Sequence, residues 1–368
     1  MSNIPYLLAL HSINGLGPIR LKNLLDKFRD PKIAWETGRD ELIETGVTIP
    51  VADLLIQTRQ SLDPQKYMDS IIKSGIKIMT VFDEDYPKSL KQIYDPPVVL
   101  YYKGEILPQD GKAIAVVGTR KMTGYGKSVT ETFVKDLTLA GLTIVSGLAR
   151  GVDTTAHKTA ILNEGRTLAI LGGGLNEIYP PENRSLAKQI EEGFGAVISE
   201  FAPDEPSMPG NFPSRNRIIA GLSKGVLVTE AAYDSGSLIT AKEALEQGKE
   251  VFATPGPITS DFSKGPVSLI QSGAKAVFDA SEILDELGLT QVQNLKWYTP
   301  ATQAKVQNGV DLSEEEKKII NILENEQMHI DEICRSLDLS INIVSAALVK
   351  MEITGFVKNL GGGIYSAG

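Results

Sequence analysis

Cysteine and histidine are almost missing from this chain: its 368 residues hold one cysteine, Cys334, and three histidines, His11, His157 and His329. A single cysteine excludes an internal disulfide and fits a reducing, cytoplasmic setting. Three scattered histidines and one thiol make no ligand set for zinc, so no metal is expected. Long uncharged apolar runs are absent too, although 42 % of the residues are apolar. The first apolar stretch is interrupted by Pro5 and His11 and has no basic leader, so a soluble protein is expected, with neither secretory signal nor membrane anchor. Positive charge is in deficit, 37 Lys and Arg against 46 Asp and Glu, a net of -9. That sum argues against a nucleic-acid partner, but phosphate binding needs only a local basic stripe. Residues 112–230 carry 13 basic and 12 acidic side chains, whereas residues 311–368 carry 5 against 10, so part of the negative excess lies at the C-terminal end.

What is present is a series of buried-strand patterns that end in glycine and arginine. Ala113-Ile-Ala-Val-Val117 stops at Gly118-Thr119-Arg120. Thr143-Ile-Val-Ser-Gly147 runs on to Arg150, and Leu168-Ala-Ile-Leu171 into Gly172-Gly173-Gly174. Further strands are expected at 195–199, 225–229, 250–253 and 274–278, with helical segments between them. Continuous apolar strands alternating with amphipathic helices predict an α/β fold, an extended Rossmann-like parallel sheet covered on both faces. Ligands of such sheets sit beyond the carboxyl ends of the strands, where free backbone amides and helix N-termini attract anions. Arg120 and Arg150 at those ends, with Arg215 and Arg217 at the start of a later helix, therefore suggest a phosphate partner. Taken singly, an arginine is better explained by a surface or structural ion pair; four at strand ends and a helix start are harder to explain that way. Tyr179 has two readings, a surface for an unpaired base or a ring packed over its own loop, and Asn183 is a candidate for hydrogen bonding a base or sugar.

Residues 1–75 read as a helical, helix-hairpin-helix or SAM-like module: an apolar helix, the turn Gly15-Leu-Gly-Pro18, and a helix starting at Pro18. Its glycine turn suits either a DNA phosphate or simple packing. The α/β domain is placed at 76–288, with short strands at 76–82 and 98–102, followed by a polar linker at 289–311. Residues 312–368 predict a winged helix: a capping box at Ser313-Glu316, helices at 330–337 and 340–353, and a hairpin wing at 355–365. The would-be recognition helix shows Asn342, Ser345 and Lys350 but also Glu352, so DNA reading, protein contact and a structural role all stay open.

Three familiar signatures fail on chemistry. The glycines Gly118, Gly124 and Gly126 have the wrong spacing for a dinucleotide fingerprint, and the second strand ends in Ser146-Gly147 rather than an acid. Gly126-Lys127-Ser128 has Lys121 where a phosphate-binding loop needs its first glycine, and Ile144 stands where a nucleophile elbow needs one. No cofactor is expected. Asp153 and His157 lie one helical turn apart without an activated nucleophile, which favours a helix-face hydrogen bond over acid–base work.

Five ordered motifs resemble the DprA/Smf family of DNA-processing proteins. They are Val117-Gly-Thr-Arg120, Ser146 through His157, Gly173-Gly-Leu175 with Tyr179-Pro180 and Asn183, Phe212 through Ser223, and Glu230-Ala231 through Ala241. The resemblance spans most of residues 83–288. It implies a non-enzymatic protein that binds single-stranded DNA, forms a homodimer through the Rossmann-like domain and helps load RecA on strands taken up in natural transformation. Carried over by position, it implies a DNA site of Gly118, Thr119, Arg120, Lys121, Ser146, Gly147, Arg150, Gly172, Gly173, Gly174, Tyr179, Asn183, Arg215, Asn216 and Arg217. The alternative is a nucleotide N-glycosidase of the lysine-decarboxylase-like group, but Gly236-Ser-Leu-Ile-Thr240 has Thr240 where that group needs a catalytic glutamate.

Overall fold

In the computed structural model the described residues are 3–289, 313–323, 327–353 and 356–367. The polar stretch 289–311 therefore lies, apart from Leu289, outside them. Six helices open the chain: α1 (Ile4–His11), α2 (Pro18–Phe28), α3 (Pro31–Glu36), α4 (Arg39–Glu44), α5 (Ile49–Thr58) and α6 (Pro64–Lys73). Proline begins α2, α3 and α6, where a missing N–H costs nothing, and the carboxylates of Asp30 and Asp63 cap α3 and α6.

The strands are β1 (Lys77–Thr80), β2 (Val99–Gly104), β3 (Ala113–Val117), β4 (Thr143–Ser146), β5 (Thr167–Ile170), β6 (Gly195–Ser199), β7 (Gly225–Val228), β8 (Glu250–Ala253) and β9 (Lys275–Ala276). They form one sheet in the order β1-β2-β6-β5-β4-β3-β7-β8-β9. From β6 to β9 all pairs are parallel, while β2 runs antiparallel to β6 and β1 antiparallel to β2. The two early strands thus extend one edge as an antiparallel hairpin-like addition to the parallel sheet.

Every residue of β3 is buried, and the layer each one packs against alternates. Ala113, Ala115 and Val117 pack with Ile218, Ile219, Ala241 and Ala244, whereas Ile114 and Val116 pack with Phe133, Val134, Leu137 and Ala156. The first group lies on α11 (Asn211–Leu222) and α12 (Ser237–Glu246), the second on α8 (Gly124–Leu139) and α9 (Val152–Leu162), the short helices α7 (Lys88–Lys91) and α10 (Arg184–Gln189) preceding α8 and α11. Period-two side-chain alternation therefore assigns each residue to one helical layer. The N-terminal helices do not stand apart: Leu7, Leu8 and Leu24 share a cluster with Val99, Tyr101, Leu171 and Val197 of the sheet region. The chain divides into two compact units, Met1–Leu295 and Lys296–Gly368.

The second unit has helices Glu314–Leu323, Ile330–Leu337 and Ile341–Ile353. Its sheet is β10 (Met328–His329), β11 (Val357–Gly361) and β12 (Ile364–Ala367), ordered β10-β12-β11 and antiparallel throughout. The capping box forms reciprocally: Ser313 N–H donates to Glu316 Oε2 at 2.8 Å and Glu316 N–H to Ser313 Oγ at 3.3 Å. This is a winged-helix arrangement. Among the described residues no helix is long and apolar enough to cross a membrane.

Candidate nucleic-acid interface

The sheet order reverses at β3: the chain steps through β4, β5 and β6 on one side, then returns to β7 on the other. At such a switch point the loops after neighbouring strands diverge and leave a crevice. A cleft of about 540 Å³ lies there, walled by the segments 117–121 and 232–240 and by Phe212, Arg215 and Asn216. Arg120 and Lys121 are exposed at its margin.

Phe212, at the second position of α11, organises this margin. The Arg120 guanidinium lies 5.2 Å from its ring centroid and that of Arg215 6.0 Å, while the Tyr179 ring is 6.0 Å away, tilted by 45°. Gly172 makes room for it, because a Cβ at that position would press on the ring. Tyr179 is 42 % exposed. Arg150 continues the line, hydrogen-bonded to Glu182, and the nearby Glu182 and Tyr179 raise its pKa. Two aromatic faces lie between two cations along one rim, the composition that accepts phosphates and unpaired bases together. Sequence reasoning passed over Phe212, although it stood within a quoted motif. The available signal was an aromatic residue three positions before an arginine at a helix start.

Other expected residues serve the fold. At the α8 N-terminus the Glu230 carboxylate accepts from Thr123 N–H at 2.9 Å and Thr123 Oγ1 at 2.6 Å, so an internal anion already sits there. Gly126 is needed because a Cβ there would run into that carboxylate. The Thr119 amide donates to the Glu230 carbonyl at 2.6 Å, and the Thr119 hydroxyl accepts from Lys121 N–H at 3.1 Å. Gly118 lets Val152 and the Glu230 backbone approach. Ser146 is fully buried and donates to the Val116 carbonyl at 2.7 Å.

Arg215 is buried and crosslinks two strand ends, donating to the carbonyls of Gly147 (2.7 Å) and Ile170, with its guanidinium against Gly147. Burial lowers its pKa to about 10. Asn216 accepts from Arg215 at 3.1 Å and donates to the Gly236 carbonyl at 3.2 Å, bracing the cleft floor. Arg217 departs furthest from the sequence expectation. Its side chain is 7 % exposed and held by Asp95 at 2.8 Å and Glu200 at 2.5 Å. Successive residues of a helix point about 100° apart, so Arg215 and Arg217 could not both face the crevice.

Asn183 is buried as well, its amide donating to Leu148 O and Thr154 Oγ1, both at 2.8 Å. It ties the loop after β5 to the loop after β4 through its amide nitrogen. Gly173 and Gly174 sit under Ser207 and Pro203 of the same chain, so their missing side chains admit the 202–212 segment rather than a ligand. Asp153 and His157 do not pair with each other. Asp153 accepts from the amides of Gly147 (3.1 Å) and Ala149 (3.3 Å), and His157 Nδ1 lies 2.6 Å from Thr167 Oγ1. Burial drives the His157 pKa down to about 3, which keeps the ring neutral.

The Gly15–Pro18 turn opens onto a groove of about 670 Å³ that is also lined by Asp95, Glu200, Glu205 and Glu243. Arg20 and Arg217 line the same groove, Arg217 paired with Asp95 and Glu200, and Arg20 closes the turn by donating to the Gly15 carbonyl at 2.8 Å. In the winged-helix unit, Lys350 is paired with the buried Glu316 at 2.9 Å, and the same helix exposes Ile341, Ile343 and Val349. Among the described residues no cluster of His, Cys, Asp and Glu could hold a metal ion.

The profile of a family described as DNA recombination-mediator protein A matches residues 77–288, and a DprA winged helix domain profile matches residues 303–363. Protein Smf of Synechocystis is 35 % identical over 381 residues, spanning 96 % of this chain and 96 % of its own. DNA processing protein DprA of Bacillus subtilis is 45 % identical over 222 residues, 60 % of this chain and 74 % of that protein. The crystal structure of DprA from Streptococcus pneumoniae superposes with a TM-score of 0.67 at 35 % identity, covering 78 % of this chain and 99 % of that one. DprA from Helicobacter pylori, a protein described by its single-stranded DNA binding mode, gives a TM-score of 0.52 at 30 % identity over 58 % of this chain and 95 % of that one.

Proposed function

Because the chain belongs to the DNA recombination-mediator protein A family, we propose that its α/β unit holds single-stranded DNA along the rim Arg120–Phe212–Tyr179–Arg150. It acts there as a binding protein rather than an enzyme, and as a homodimer delivers the strand to RecA during natural transformation. The observation that carries the reading is the ring of Phe212, flanked by the Arg120 guanidinium at 5.2 Å and the Tyr179 ring at 6.0 Å. Guanidinium groups take phosphates in any sequence, and aromatic faces accept any base, so recognition is tolerant of sequence. The acidic sum of the chain does not oppose this, because the carboxylates nearest the strand ends, Glu230 and Glu200, are buried and committed. Duplex DNA keeps its bases stacked inside and so gains nothing from the aromatic part of the rim.

The test is fluorescence anisotropy of a labelled oligothymidine across a salt series. For single strands log affinity falls with log salt at about 0.7 per neutralised phosphate. Arg120→Ala is expected to weaken binding and to flatten that slope by about 0.7. An unchanged slope would remove Arg120 from the phosphate contacts.

A further inference from the structure

Four carboxylates stand where the sequence pattern promised anion sites. Glu230 caps α8, Asp153 takes the amides of the loop after β4, Glu200 holds Arg217, and Glu182 holds Arg150. The first three are buried. Glu182 alone lies in the open, its side chain 49 % exposed, and its partner Arg150 is 50 % exposed. The two are pre-aligned by the fold. Asn183, the next residue after Glu182, is bonded to the Leu148 carbonyl, two residues before Arg150, so the turns that carry the acid and the base are pinned to each other. Hydrogen bonding to Arg150 lowers the Glu182 pKa and hydrogen bonding to Glu182 raises that of Arg150, the signature of a formed charge pair.

We propose that Glu182 is a displaceable internal anion that occupies Arg150 in the free protein and must yield it to a DNA phosphate, so that Arg150 joins the interface only at the expense of this pair. The inference rests on the reading of the rim given above. The carboxylate reaches Arg150 through Nε, and a phosphate bound by the same kind of charge-assisted hydrogen bond competes with it for the charge of one cation. Glu182 therefore lowers affinity and makes engagement of Arg150 conditional on a strand already anchored at Arg120 and Phe212. It is a positioning residue, acting through Arg150 and not by touching DNA.

The experiment is a double-mutant cycle in the full-length protein: oligothymidine affinity and its salt slope for wild type, Glu182→Gln, Arg150→Ala and the double variant. Glu182→Gln keeps the side-chain shape at an exposed position, and its melting temperature serves as the check on folding. It is expected to bind about three- to fivefold more tightly, the scale of an exposed ion pair. The gain should vanish in the Arg150→Ala background. An equal gain in both backgrounds would overturn the proposal, because Glu182 would then act only through general repulsion. So would unchanged or weaker binding, which would make the pair a support of the loop. If the wild type itself fails to bind oligothymidine, the rim reading falls. If it binds and Glu182→Gln shows no gain, only the competition fails.

Discussion

Replacing Arg217 separates a phosphate ligand from a structural crosslink. Arg217→Met keeps the length of the side chain and removes the charge, leaving Glu200 and Asp95 without the cation they share at 2.5 and 2.8 Å. Glu200 is the costlier orphan, because its side chain is 9 % exposed against 28 % for Asp95. Removing one partner of a buried pair costs about 3–5 kcal/mol. A ΔΔG of that size in a unit this large lowers the melting temperature by roughly 6–10 °C, taking about 2 °C per kcal/mol. Adding Glu200→Gln to Arg217→Met removes the uncompensated charge and is expected to recover at least half of the loss. Urea unfolding monitored by circular dichroism measures both variants, and oligothymidine anisotropy at 20 °C, below the transition, measures binding. Arg217→Met should bind within about twofold of wild type, since its guanidinium never reaches the rim. Stability unchanged within about 1 kcal/mol together with a clear loss of affinity would refute the reasoning and restore Arg217 to the DNA contacts.

Phe212→Ala removes the ring between Arg120 and Tyr179, and oligothymidine should bind about tenfold more weakly in anisotropy titrations, since one stacked base is worth about 1–3 kcal/mol. Its salt slope should stay near that of wild type, because no phosphate contact is lost. Acid should destabilise the first unit, in which burial lowers the pKa of both His11 and His157, the deeper depression being at His157. The folded pKa is depressed to about 3 from an unfolded value of 6.5, so below pH 6.5 the unfolded chain binds a proton that the folded one refuses. Stability is therefore lost as pH falls from 6.5 toward 3, by about 2 kcal/mol between pH 6.5 and 5. His157→Gln should remove that share of the slope in urea titrations at several pH values, while a slope as steep as wild type would exclude His157 as its source.

The strand-by-strand plan of the α/β domain was legible from local pattern alone. A run such as Ala113–Val117, short, apolar at every position and rich in β-branched residues, reads as a strand covered on both faces, and the glycine that follows it marks the strand end. The winged-helix elements were legible for the same reason, as was the capping box at Ser313 and Glu316. Chemistry at the strand ends was legible as residue type: arginines and glycines gathered at one edge of the sheet. What those residues do was not, because it depends on partners far away in sequence. Arg217 meets Asp95 across 122 positions, and Thr123 meets Glu230 across 107. Glycines that looked like room for a ligand proved to be room for Ser207, Pro203 and Phe212 of the same chain. Local periodicity thus determined which segments became strands and helices, since burial of alternate faces is written residue by residue. Only the tertiary structure decided which charges stayed free, because in a folded chain the nearest carboxylate claims a cation before any ligand arrives.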